Sequence, residues 1–212
     1  MTPSRGRLIT FEGGEGAGKS TQIARLAAGL RASGLSVVET REPGGTAGAE
    51  EIRRLLVTGD AGRWDAATEL LLICAARRDH VRRLIAPALA AGTWVLCDRF
   101  ADSTLAYQGI AGGLGAAAIA SANAVATDGL APDLTLVLDI DPLAGLARAH
   151  QGGGEETRFE TFDTGFHAAV RQAFLDIAQA EPQRCVVVDA AQPADVVAAV
   201  IAASVRHHLG SA

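Results

Sequence analysis

The sequence runs to 212 residues with a formal net charge of −5, 49% apolar and only 4% aromatic residues. That length suits one domain with a full core and room for a small lid, and the negative balance excludes a broad basic field for nucleic acid. No apolar run approaches the roughly 20 residues that a membrane helix needs, so neither a nucleic acid nor a membrane is expected as a partner. The first residues, Met1 to Arg7, carry no apolar signal core. Cys74, Cys97 and Cys185 are odd in number, widely spaced and set in apolar segments. A cytoplasmic protein with reduced, buried thiols is the expectation.

In chain order, five runs read as strands: Leu8–Phe11, Val37–Thr40, Trp94–Cys97, Leu134–Ile140 and Cys185–Val188. They are continuously apolar, as in a parallel sheet covered on both faces. Helical patterns lie between and after them, at about Thr21–Ser33, Ala47–Val57, Ala66–Ala91, Ala116–Thr127, Pro142–Ala149, Phe162–Ala180 and Ala194–Leu209. The predicted architecture is α/β: a single three-layer α/β/α domain over residues 1–212 with a five-stranded parallel sheet and right-handed crossovers. No internal repeat is visible, and Gln151-Gly152-Gly153-Gly154 is the one low-complexity patch.

The most specific stretch is Gly13-Gly14-Glu15-Gly16-Ala17-Gly18-Lys19-Ser20-Thr21, between the first strand and the first helix. This is a Walker A phosphate loop in its proper setting, the signature of P-loop nucleotide-binding domains. Glycines leave the loop's N–H groups free to converge on an anion at the positive end of the helix. Lys19 adds a compact charge for the β- and γ-phosphates, and the Ser20 hydroxyl is the expected Mg²⁺ ligand. Every other Lys/Arg position in the chain is arginine, a planar fork that does not replace an ammonium there.

In doubly wound sheets ligands bind outside the carboxyl ends of the strands. The second strand leads there into Arg41-Glu42-Pro43-Gly44-Gly45, the third into Asp98-Arg99 and the fifth into Asp189. An apolar strand closing on Asp98 has Walker B geometry for Mg²⁺, directly or through water. Alone, an Asp-Arg pair is an ordinary surface ion pair; after a strand, beside a phosphate loop, it reads as functional. By spacing alone Arg77-Arg78 reads as the solvated face of a long helix. His150, His207 and His208 read as surface residues, since no metal-ligand cluster accompanies them. The segment from Arg148 to Arg158 loosens around its glycines and reads either as a solvated loop or, given the phosphate loop, as a mobile lid, at about 148–160, whose arginines swing onto phosphates.

Together, Phe11 to Thr21, Thr40-Arg41-Glu42-Pro43-Gly44-Gly45-Thr46, Ala75-Ala76-Arg77, Asp98-Arg99-Phe100 and Ser103-Thr104-Leu105-Ala106-Tyr107-Gln108-Gly109 closely resemble bacterial thymidylate kinases. The resemblance covers nearly the whole chain in order. It implies transfer of the γ-phosphoryl of ATP to dTMP, with Mg²⁺, in a homodimer. It further implies that Gly13, Gly14, Glu15, Gly16, Ala17, Gly18, Lys19, Ser20 and Thr21 bind ATP, and that Ser20 and Asp98 hold the metal. Glu15 would face the deoxyribose 3′-hydroxyl and the metal shell, and Arg99 would bind the dTMP phosphate. Arg77 would reach the pyrimidine O4, Thr104 and Gln108 would line the base, and Tyr107 would pack where a 2′-hydroxyl would project. Glu42 and Pro43 would wall the monophosphate site. Two departures stand out. Ile73 occupies a position, four before Arg77, where the family often has a stacking aromatic, and the lid keeps only Arg148 and Arg158 around its glycine run. The catalytic set implied is Lys19, Arg99 and Glu15 with Arg148 and Arg158.

Three rival readings stand beside this one, of which a non-catalytic nucleotide-binding subunit would keep the phosphate loop but have little use for the second, arginine-rich site. A GTPase switch needs an Asn-Lys-x-Asp segment for guanine, which a chain without a lysine beyond Lys19 cannot have. A kinase for another nucleoside monophosphate or a small hydroxyl acceptor is opposed by the segment from Asp98 to Gln108.

Overall fold

The computed structural model describes residues 5–60, 62–151 and 162–210. Strands β1 (Leu8–Glu12), β2 (Val37–Arg41), β3 (Trp94–Asp98), β4 (Leu134–Asp139) and β5 (Cys185–Asp189) form one parallel sheet in the order β2-β3-β1-β4-β5. Side-chain alternation defines its two faces. Ile9, Phe11, Leu134, Leu136 and Leu138 pack on one face against α1 (Lys19–Ala32) and α9 (Ala194–Leu209). Leu8, Val95, Cys97 and Val137 pack on the other, against the helices that precede β3 and against α8 (Thr164–Ala180). This is the three-layer α/β/α arrangement expected from the sequence.

Four strands extend one residue past their apolar runs, to Glu12, Arg41, Asp98 and Asp189, while β4 stops at Asp139. The ladder is made by backbone groups, so a polar residue can close it. Phe11 and Arg41 both pair with Asp98, and Asp139 pairs with Asp189. The polar closing residues therefore stand along one edge of the sheet.

Helix α2 (Ala47–Val57) starts at Thr46, whose hydroxyl accepts from the Ala49 N–H, and α3 (Ala66–His80) starts at Asp65, which accepts from Thr68 N at 2.7 Å. The helix expected to run on to Ala91 instead widens into a π turn over Val81–Ile85 and ends as α4 (Ala86–Ala90). Pro87, which has no N–H to return, follows that wider turn. A further helix, α5 (Ala101–Thr104), continues in π form over Leu105–Ala111 and was not apparent in the sequence. Its hydrogen bonds close five residues back, as from Gly112 N to Tyr107 O at 2.7 Å, so no 3.6-residue period marks it. Then come α6 (Ala116–Thr127) and α7 (Pro142–Gln151). Helix α8 begins at Thr164, two residues after the expected Phe162, because Asp163 caps it by accepting from Phe166 N at 2.8 Å.

Cys97 and Cys185 are buried free thiols and Cys74 is half-buried. Burial pushes the Cys185 thiol up to about 12. His150, His207 and His208 are exposed, as expected. Among the described residues no helix is long and apolar enough to cross a membrane.

Candidate active site

The loop between β1 and α1 takes its shape from glycines at positive φ: Gly13 at 134°, Gly16 at 64° and Gly18 at 87°. The Lys19 ammonium curls over the loop and donates to Gly13 O at 3.2 Å and Gly14 O at 3.0 Å. Burial, then the neighbouring Arg99, lower its pKa, although Asp98, Glu15 and Glu12 pull the other way.

The loop opens onto a cleft of about 760 Å³. Glu15 to Thr21 form one side, and Glu42, Pro43, Ile73, Arg77, Asp98, Arg99, Thr104, Tyr107, Gln108 and Arg148 complete it. Every site residue named from the sequence and described in the structure lines this cleft except Gly13 and Gly14, which lie behind the loop on a cavity of about 20 Å³. Arg158 lies outside the described residues, as do Gly152 to Gly154 of the expected lid. Arg41, named from the sequence only as part of its strand-end motif, and Arg53, which was not singled out, also line the cleft. With Lys19, Arg77, Arg99 and Arg148 they concentrate cationic charge against three carboxylates, Glu15, Glu42 and Asp98, in a chain whose net charge is −5. That local excess suits polyanionic ligands.

Arg99 adopts a left-handed backbone conformation, φ 66°, with its N–H bonded to Phe11 O at 2.9 Å. That turn sends its guanidinium back toward the loop. One Nη donates to Gly13 O at 3.1 Å and Ser103 Oγ at 3.3 Å, the other to Glu15 Oε1 at 2.8 Å, and the fork lies 5.0 Å over the Tyr107 ring. The Tyr107 hydroxyl donates to the same Glu15 oxygen at 3.0 Å. Burial alone would raise the Glu15 pKa, but Arg99, Lys19 and the Tyr107 hydrogen bond outweigh it and hold the carboxyl at about 2.

Behind this group stands Glu12, fully buried at the end of β1. Its Oε1 accepts from Phe100 N at 2.8 Å and its Oε2 from the Ser103 hydroxyl. Burial, then the nearby Asp102, push its carboxyl up to about 8. Glu12 thus anchors Phe100, which follows Arg99, and Ser103, which accepts from Arg99, and its one sequence signal was a charge closing an apolar strand.

Arg77 is not the solvated residue that spacing alone suggested. It is only 2% exposed, while its neighbour Arg78 stays at the surface. The reason is a set of acceptors from distant elements: Nε donates to Glu42 Oε2 at 2.6 Å, Nη1 to Asn123 Oδ1 at 2.6 Å and Nη2 to Phe100 O at 3.0 Å. Three of its five N–H groups are engaged and two remain. Glu42, joined to Pro43 by a cis peptide bond, also meets His80 Nδ1 at 3.0 Å, and His80 Nε2 reaches Thr40 Oγ1 at 2.7 Å.

Ser20 Oγ donates to Asp98 Oδ2 at 3.0 Å. The two meet at the cleft although 78 residues separate them. A hydroxyl and a carboxylate oxygen are hard donors. Two protein oxygens suit Mg²⁺, which keeps several waters and takes its other ligands from phosphates.

Arg148, on α7, donates to Ala190 O at 2.9 Å. It stands between the main cleft and a pocket of about 400 Å³ lined by Gly18, Thr21, Gln22 and Ala190 to Ala194. That pocket had no sequence signal beyond Asp189, whose side chain accepts from Ala191 N at 2.9 Å and shapes the turn there.

A parallel α/β sheet, a phosphate loop, a serine-aspartate pair and an arginine-rich acceptor wall in one cleft define a P-loop kinase of small phosphorylated acceptors. The family model described as thymidylate kinase matches residues 11–201. The chain belongs to the thymidylate kinase family. It is 56% identical over 197 residues to a thymidylate kinase of Magnetococcus marinus, covering 93% of this chain and 94% of that one. It is 54% identical over 207 residues to one of Caulobacter vibrioides, covering 98% and 99%. The crystal structure of thymidylate kinase from Ehrlichia chaffeensis superimposes with a TM-score of 0.78 at 33% identity, covering 95% of this chain and 99% of that one.

Proposed function

We propose that this chain transfers the γ-phosphoryl of ATP to dTMP, giving dTDP and ADP. The observation that carries the reading is one cleft in which the phosphate loop and the Ser20–Asp98 pair meet a second wall containing Arg77, Arg99, Tyr107 and Gln108. Phosphoryl transfer asks a protein for positioning and charge neutralisation more than for covalent chemistry. The acceptor phosphate is itself the nucleophile, so no general base is required.

In this reading the loop from Gly13 to Thr21 wraps the ATP phosphates, Lys19 meets the charge that develops on the transferring group, and the pocket at Ala190 to Ala194 takes the adenine. Ser20 and Asp98 would hold Mg²⁺, which would supply charge neutralisation at the ATP phosphates. Arg99, already aimed at the loop, takes the dTMP phosphate beside the wall of Glu42 and Pro43. Glu15 turns to the 3′-hydroxyl and metal shell. Ile73 covers the thymine face, Arg77 offers its remaining N–H groups to O4, and Thr104 and Gln108 line the base edge. Tyr107 fills the space a 2′-hydroxyl would need. Arg148 contributes a phosphate contact, and the family resemblance gives Arg158 the same role.

We further assign the chain to the cytoplasm, where three free thiols stay reduced, and to a homodimer. Leu71 on α3 and Val125 on α6 are 68% and 75% exposed on helices that pack against each other, an apolar face that a second copy would cover.

The test is ADP release measured across a panel of nucleoside monophosphates. The highest kcat/KM is expected for dTMP. A higher value for another monophosphate would overturn the assignment.

A further inference from the structure

Glu69 lies on α3 four residues before Ile73 and eight before Arg77, so the three share one stripe of the helix, and all three are buried. Its Oε1 accepts from Gln108 Nε2 at 2.8 Å. A glutamine amide carries a donor prong and an acceptor prong of nearly equal size, and its partners decide which way round it sits. A carboxylate only accepts. One Nε2–H is therefore held by Glu69, which fixes which way round the amide sits, and the carbonyl Oε1 is the prong left for the cleft that Gln108 lines.

We infer that Glu69 is a positioning residue that sets base specificity by holding Gln108 as an acceptor. The inference rests on the dTMP reading. Thymine presents N3–H, a donor, to such a carbonyl, whereas N3 of cytosine is an acceptor and would oppose it lone pair to lone pair. Arg77 completes the pattern. Guanidinium has no acceptor, so it matches the thymine O4 and opposes the amino group that cytosine carries there. Arg77 is itself locked, by Glu42, Asn123 and Phe100 O, so neither Gln108 nor Arg77 can adapt to cytosine. A site whose buried groups are left unpaired by the wrong base discriminates more strongly than one that only fits shape.

The experiment compares kcat/KM for dTMP, dUMP and dCMP in the wild-type protein and in Glu69→Gln and Glu69→Asp. With glutamine at position 69 the pair of amides can bond either way round, and Gln108 can turn its NH₂ to cytosine N3. The dTMP-over-dCMP ratio is expected to fall about tenfold or more in Glu69→Gln. The dTMP-over-dUMP ratio is expected to hold within about twofold, since uracil and thymine share the N3–H and O4 edge. Glu69→Asp keeps an acceptor-only group and is expected to retain the selectivity. A role in stability alone would lower the melting temperature and leave both ratios where they were; that result overturns the inference. Should Glu69→Gln fail to fold, the Gln108 side-chain amide protons of the wild-type protein, assigned by their loss in Gln108→Leu, serve instead. The one held by Glu69 is expected to stay protected from exchange and unshifted when dTMP binds, and a shift showing that the NH₂ donates to the base would overturn the inference. A wild-type protein that phosphorylates no pyrimidine monophosphate removes the dTMP reading itself. A selective wild type with an equally selective Glu69→Gln removes only the role given to Glu69.

Discussion

Gly16 of the phosphate loop and Gly145 of α7 meet backbone to backbone: a Cβ on Gly16 would fall inside the Gly145 carbonyl, and one on Gly145 inside the carbonyl of Glu15. The loop is thus seated against the helix that carries Arg148. Gly145→Ala is expected to push loop and helix apart, raising the KM for ATP and lowering both kcat and the melting temperature. Gly29→Ala, in α1 where a Cβ meets nothing, is the contrast and should stabilise by about 0.5–1 kcal/mol. Kinetics and thermal melts on the two variants check the pair; a silent Gly145→Ala would show that the contact does not constrain the loop.

The carboxylates on either side of Gly13-Gly14 give opposite pH signatures. Glu12, held at about 8 against an ordinary 4.5, keeps in the fold a proton that the unfolded chain releases. The stability this contributes is complete below about 4.5 and is lost as pH rises through about 8. Glu15, held at about 2, contributes stability present above about 4.5 and lost as pH falls toward 2. Denaturation midpoints followed over pH should show the decline on the alkaline side flattened in Glu12→Gln. The gap between wild type and Glu15→Gln should close toward acid. The reverse assignment of the two limbs would contradict the electrostatics described.

Ile73 lines the cleft and packs on Leu56 and Val57, 8% exposed. It offers the base apolar contact without the offset stacking of a ring, a difference of about 0.5–1.5 kcal/mol beyond area. Ile73→Phe is therefore expected to tighten dTMP by up to about tenfold. If the side chain served only the core, the larger ring would overpack it and the melting temperature would fall with dTMP affinity unmoved. A dTMP titration beside a melt separates the outcomes.

Arg148 bridges α7 to the turn after β5 through Ala190 O and borders the pocket assigned to adenine. Arg148→Ala is expected to raise the KM for ATP more than that for dTMP. Two-substrate kinetics check it, and an effect confined to dTMP would place the side chain elsewhere.

The sheet was legible because its strands are apolar on both faces, and the phosphate loop because its function needs consecutive residues. What periodicity and spacing left hidden, and in part only the family resemblance pointed to, depends on contacts between distant segments. Arg77 looks like a surface residue until Glu42, Asn123 and Phe100 converge on it, 35, 46 and 23 positions away. Glu12 and Ser103 are 91 apart. Tyr107 and Gln108 sit on a π segment whose pattern matches neither helical nor strand periodicity. Glu69 left a readable trace, a charge on the same helical stripe as Ile73 and Arg77, where an apolar residue would be expected.

Transfer of labelled phosphate from γ-labelled ATP to dTMP, with the product identified, tests the central claim most directly when wild type and Lys19→Ala are compared. Label should appear in dTDP at the rate ADP is released, and Lys19→Ala, which removes charge stabilisation from the transferring group, should lose at least about tenfold in kcat, the equivalent of ~1.4 kcal/mol. Label appearing in inorganic phosphate with dTMP unchanged, or equal transfer by the two proteins, would contradict it.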